Sequence, residues 1–256
     1  MATISQPFLF SWKEIDAASD LDRLALVLDA LSSVDEKLVR FLEQRRGRGR
    51  DDFPIRPMWN AVMAGIVYQH SSVESLRREL RRNGELRQLC GFDPFLGEKA
   101  VPTKDAFSRF LESLIKQAVF IIEMFHVLVD ELKKKLPDLG VRTAVDSKAI
   151  QSFGKPVKDE KLQEEDRRRD TDADWGVKTY KGTRKDGSAW EKIVKWFGYK
   201  LHLLVDSKYE LPLAFSVDVA SSSDMTHLIP LVEDVEENHK ELHDDIEETA
   251  ADKGYD

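Results

Sequence analysis

The feature that most constrains this chain is a change in the spacing of its apolar residues near position 139. From about residue 20 to 136 they recur every three or four positions, as in Leu21, Leu24, Leu28 and Leu31, the period of an amphipathic helix. After "PDLG" the period drops to two. Val141, Thr143 and Val145 share one face of an extended segment, and Arg142, Ala144 and Asp146 share the other. A sequence of 256 residues has room for two cores. The reading is therefore α+β: an all-helical N-terminal domain over 1–138, then a sheet-bearing domain over 139–256.

The helical part carries its own punctuation. "RRGRGRDDFP" breaks the first run with Gly47, Gly49 and Pro54 and reads as a loop. Pro57 suits the first turn of the next helix. Ser71 and Glu74 have the spacing of a capping box for the helix that follows. In that helix Val73, Leu76 and Leu80 form an apolar face, which leaves Arg77, Arg78, Arg81 and Arg82 largely on the opposite one. Such a face suits DNA phosphates, and simple solvation accounts for it as well. Thr103 is the expected N-cap of the next long run and Pro137 its stop.

Beyond Asp146, residues 152–196 are polar and interrupted by glycines, and read as an insertion on a sheet. Trp175, Tyr180, Trp190 and Trp196 alternate there with Lys178, Lys181, Arg184, Lys185 and Lys195. The pattern fits stacking on DNA or tracking of its backbone, and equally fits packing of the insertion on the sheet. Alternation resumes in "FGYKLHLLVD" and "LPLAFSVDVA", two strands joined by "DSKYE" into an antiparallel hairpin. Pro212 belongs at a strand start or an edge. "SSSDMTHLIPLVEDVEENHKELHD" reads as a helix begun late or kinked by Pro230. A short strand then ends near Asp252. From 139 onward the expected order is strand, strand, strand, helix, strand.

The net charge of −8 hides a segregation along the chain. Residues 40–90 hold eleven Arg against six acids, and residues 205–256 hold fifteen acids against three Lys. A basic helical part and an acidic sheet part are compatible with separate DNA-holding and metal-holding regions. Cys90 is the single cysteine, which rules out an intramolecular disulfide and a cysteine zinc cluster. No stretch approaches the roughly 20 apolar residues of a membrane span. "MATISQPFLFSWKEIDAASD" lacks the basic n-region of a secretory signal, so a cytoplasmic protein is expected.

Asp146 raises a chemical question, because a carboxylate at the end of an apolar strand is costly unless it is paired or binds a metal. Five fragments bear on it: "VPTKDAFSRFL", "TAVDSKAI", "DADWGVKTYKG", "WFGYKLHLLVDSKYELPLAFSVDVASSSD" and "ADKGYD". In this order they resemble the DDE transposases of bacterial insertion sequences. The resemblance implies an RNase H-like mixed-sheet domain with an insertion after its first strand. It also implies that Asp146 and Asp252 are catalytic and hold metal, two Mg²⁺ ions about 4 Å apart, with Mn²⁺ as a substitute.

The implied reaction is cleavage at transposon ends and strand transfer into target DNA. Double-stranded DNA would be the partner and a homodimer the working form. The family's third carboxylate is a Glu on a helix downstream of the second Asp. Glu233, Glu236 and Glu237 all precede Asp252 and cannot inherit that place. The chain is thus expected to be a C-terminally truncated fragment with an incomplete catalytic domain, inactive by itself. One alternative is a non-catalytic remnant that binds DNA or other subunits, and another is an RNase H-like nuclease with a different target. Two further spacings carry less. Glu123 and His126 supply one copy of a motif that di-iron bundles need twice, and His239 and His243 lack the Glu of the zinc-protease helix.

Overall fold

The structure, a computed structural model, describes residues 19–46, 53–152, 154, 156, 170–184 and 186–255. The chain forms two compact units, Met1–Leu128 and Val129–Asp256. The division falls inside a helix, about ten residues ahead of the change in apolar period.

The first unit is helical. It contains α1 (Asp20–Leu31), α2 (Glu36–Arg46), α3 (Ile55–Val67), α4 (Val73–Arg82), α5 (Gly84–Cys90), α6 (Lys104–Ile115) and the first part of α7 (Ala118–Lys135). Leu24, Leu38, Trp59, Leu80, Leu86 and Phe107 are among the buried side chains of its single core. Several starts are capped by a side chain. Ser19 and Asp22 form a reciprocal capping box on α1, and Thr103 caps α6 by accepting from the Ala106 N–H.

The box on α4 is shifted by one residue from the sequence reading. Ser72 and Ser75 cap each other's backbone N–H groups, while Glu74 turns to Arg77. A serine at N3 does the work expected of Glu74, because either hydroxyl can accept from a backbone N–H. The turn between α1 and α2 is held by Asp35, a buried carboxylate that accepts from Trp59 Nε1 at 2.7 Å and from the Arg56 guanidinium.

The second unit begins with the last turns of α7. Lys133 Nζ there donates to the carbonyls of Pro137 and Leu139 and to the Asp245 carboxylate. Five strands follow: β1 (Arg142–Gln151), β2 (Asp174–Thr183), β3 (Ala189–Asp206), β4 (Pro212–Val219) and β5 (Glu248–Ala251). The sheet order is β2-β3-β1-β5, with β4 also paired to β3. Every pairing is antiparallel except β1 with β5. Helix α8 (Leu228–Asn238) packs on β4, with α9 (Lys240–Asp244) after it. Pro230 sits in the first turn of α8 and Pro212 is the first residue of β4, where a missing N–H is harmless.

Two expectations change. The region 152–196 contains a strand of its own, so five strands replace the four expected. Strand β2 pairs with the first half of the 18-residue β3, whose second half lies between β1 and β4. Its polar outer residues disguised it, because both faces of this hairpin are largely exposed. Nor does β1 end at Asp146: its buried stretch ends there, and the strand itself continues to Gln151.

Gly198 sits where β3 changes partners, at φ 152°. A Cβ at this position would lie 2.1 Å from the Ile150 carbonyl oxygen, so the close approach of the strands requires glycine.

Candidate active site

The parallel pair β1–β5 sets the geometry. Val145 is registered with Ala251, so Asp146 and Asp252 each come one residue after the last paired rung. Neighbouring strands are about 4.8 Å apart, which brings two residues 106 positions apart in sequence to adjoining places on one sheet. Both are exposed. Asp146 Oδ1 accepts from the Ser147 N–H at 2.7 Å, and Asp252 Oδ1 accepts from the Gly254 N–H at 2.8 Å.

A third carboxylate, Asp224, stands close by. Its Oδ1 accepts from Lys200 Nζ at 2.9 Å, and its Oδ2 lies 3.4 Å from the Ser147 hydroxyl. A Cβ on Gly254 would be 2.9 Å from Asp252 Oδ1 and 3.3 Å from Asp224 Oδ2, so residue 254 lies between two acids. Sequence reasoning missed Asp224. After three serines an acid reads as a helix cap, and nothing local reveals that the turn before α8 meets the turn after β5.

Behind these acids lies a pair of stacked imidazoles. His202 on β3 is 0% exposed, and its ring stacks on that of His227 at 3.7 Å between centroids. Burial, and then the neighbouring His227, push the His202 pKa down to about 4, so the ring is neutral. Its Nδ1 is 3.1 Å from the Tyr255 hydroxyl. Its Nε2 has no hydrogen-bond partner among the described residues. His227 is held by the hydroxyls of Ser216 and Ser222 at 3.2 and 3.0 Å. Burial, followed by the charge of Asp224, raises the Tyr255 phenol to about 12, so it keeps its proton.

A cleft of about 390 Å³ opens beside Asp146. Ser147, Lys148, Lys178, Tyr180, Lys200 and Asp224 contribute to its lining, so cations and a ring stand along the approach to the acids.

The remaining residues singled out in the sequence fall as follows. Arg78, Arg81 and Arg82 are exposed on α4, with Arg82 donating to Glu79 at 2.7 Å. Arg77 is not on that open face. It is 8% exposed, and its Nε donates to the Pro102 carbonyl at 2.8 Å, because its stem follows Leu76 and Leu80 into the core. Lys178, Lys181 and Arg184 are exposed on the hairpin, Lys181 facing Glu191 across the strands at 3.8 Å. Lys185 lies outside the described residues. Glu123 pairs with Lys37, and His239 Nδ1 is 2.7 Å from Asp130. Cys90 is buried, and burial raises its thiol to about 12, as suits a core side chain.

Among the described residues no cluster of three or more His, Cys, Asp or Glu is arranged to hold a metal ion. The acids at 146 and 252 nonetheless offer what a hard divalent cation takes: carboxylate oxygens in reach of solvent, with the remaining positions left to water and phosphate oxygens. Asp224 is already engaged by Lys200 and stands as a neighbour to that pair.

A family model described as a transposase DDE domain matches residues 138–256, and one described as a transposase domain (DUF772) matches residues 12–113. No curated protein and no solved structure matches the chain. Members of the DDE family act on DNA and use divalent metal ions. Among the described residues no helix is long and apolar enough to cross a membrane. With a helical transposase domain followed by a sheet-bearing DDE domain, the chain belongs to the DDE-type transposases of insertion sequences.

Proposed function

We propose that residues 139–256 form the metal-holding part of a DNA-cleaving and strand-transferring site, with Asp146 and Asp252 as the ligands of Mg²⁺, or of Mn²⁺ in its place. The observation that carries this reading is the parallel register of β1 and β5, whose last rung, Val145 with Ala251, immediately precedes both acids. A bound divalent cation supplies charge for the attacking and leaving oxygens of a phosphodiester exchange. The side chains of this chain hold and orient. Asp146 and Asp252 provide hard anionic oxygens, and the cationic lining of the cleft, Lys148, Lys178 and Lys200, offsets the charge of an incoming phosphate. Lys181 and Arg184 extend that cationic surface along the hairpin.

The helical unit, with Arg78, Arg81 and Arg82 on one exposed face, assists in binding transposon ends or in dimerisation.

Calorimetric titration of Mn²⁺ into the chain tests the reading. Affinity is expected to fall at least tenfold in both Asp146→Asn and Asp252→Asn. Unchanged Mn²⁺ binding in both variants overturns the assignment. Binding of DNA carrying the element's ends with no Mn²⁺ uptake by any form assigns the chain instead to a DNA-binding or subunit-binding role.

A further inference from the structure

Asp252 has no strand to hold it, since β5 ends at Ala251. The turn Lys253–Tyr255 sets its place. The Gly254 N–H donates to the side chain of Asp252, and the Tyr255 N–H donates to its carbonyl at 3.0 Å. The turn is tied to the sheet by Tyr255, which is buried. Its hydroxyl meets Nδ1 of His202 at 3.1 Å, and its ring meets that imidazole edge-on at 6.2 Å. His202 cannot shift readily, being stacked on His227, which Ser216 and Ser222 hold in turn.

We propose that Tyr255 is a positioning residue: seated on the buried imidazole of His202, it holds the Lys253–Tyr255 turn so that Asp252 stays beside Asp146. The inference rests on the reading of Asp252 as a divalent-ion ligand. A ligand held by two backbone bonds in a three-residue turn needs an outer anchor, and loss of such a partner typically weakens metal binding by ten- to a hundredfold. Here the anchor is a hydroxyl that bonds the His202 imidazole and the Ser147 side chain, within a core contact, so the hydroxyl and the ring can be tested apart.

Tyr255→Phe keeps the ring and removes the hydroxyl, and His202→Phe removes the partner from the other side. In the full chain, Mn²⁺ binding followed by calorimetry is expected to weaken about tenfold or more in either variant. The double variant should lose no more than Tyr255→Phe alone. Hydrogen exchange of the Gly254 and Tyr255 amides should accelerate in Tyr255→Phe while that of α8 stays unchanged. In an Asp252→Asn background, Tyr255→Phe should cost no further Mn²⁺ affinity. Unchanged Mn²⁺ binding together with unchanged exchange in Tyr255→Phe overturns the proposal, as does a loss carried over in full to the Asp252→Asn background. If Asp252→Asn itself binds Mn²⁺ as the native chain does, the reading of Asp252 as a ligand fails, and the exchange measurement alone decides whether Tyr255 holds the turn.

Discussion

Asp146 and Asp206 put one side chain to opposite uses on neighbouring strands. Asp206, 1% exposed, ends β3 with both oxygens spent: Oδ2 accepts from the Gly140 N–H at 2.7 Å, and Oδ1 from the N–H groups of Lys208 and Tyr209 at 2.9 and 2.6 Å. Asp206→Ala leaves three backbone donors without partners and should cost about 3 kcal/mol in urea unfolding. Asp146 has a single local donor and an open side, so Asp146→Asn should leave the unfolding midpoint nearly unchanged. The sequence offers both as an acid at the end of an apolar stretch. Their difference was not legible because the donors that satisfy Asp206 come in part from Gly140, 66 positions away. His202 carries a second prediction at this scale. With its folded pKa at about 4 against 6.5 unfolded, the unfolded chain binds the extra proton between those values. Stability is therefore full above pH 6.5 and is lost on acidification toward pH 4, by about 3 kcal/mol at most. Unfolding free energies measured across that window should show the slope in the native chain and a flatter one in His202→Gln.

Among the elements, the helices were legible and the hairpin was not. Apolar spacing located α1, α4 and α6 because each buries one stripe against a single core, whereas β2 and the first half of β3 expose both faces and show no buried alternation. Cap identity was legible at Thr103 and off by one at α4, where two adjacent serines compete and only backbone geometry decides. Ser72→Ala should thus cost about 1 kcal/mol and Thr103→Ala a similar amount, while Ser71→Ala should fall within a few tenths. Thermal unfolding of the three variants separates them. Gly198 is the element-scale weak point: Gly198→Ala sets a methyl against the Ile150 carbonyl. It should cost more than about 3 kcal/mol or free the β2–β3 hairpin from β1, visible as protease nicking near residue 198.

For the molecule as a whole, the net charge of −8 is a poor guide to its partners. Arginines concentrate in the helical unit and acids in the sheet unit, so the average hides a segregation of charge along the chain. Replacing Arg78, Arg81 and Arg82 together by Gln should lower the slope of log affinity against log salt by about 3 if each meets a phosphate, as fluorescence anisotropy with end DNA would register. Arg77→Gln should instead lower the melting temperature, since its guanidinium holds the Pro102 carbonyl inside the unit. The family and the α+β class were readable because each rests on short contiguous fragments, the same fragments that single out the acids at 146 and 252. The neighbourhood of those acids was not, because Lys200, His202, Asp224 and Tyr255 come from separate elements that only the fold brings together.

Strand β3 runs unbroken for 18 residues, from the outer hairpin to the rungs beside Asp146. At about 3.3 Å per residue it makes a beam nearly 60 Å long, changing partners at Gly198 and slipping register against β4 at Leu204–Val205. One continuous length of backbone thus ties the outer hairpin to Leu203, the residue registered with Asp146.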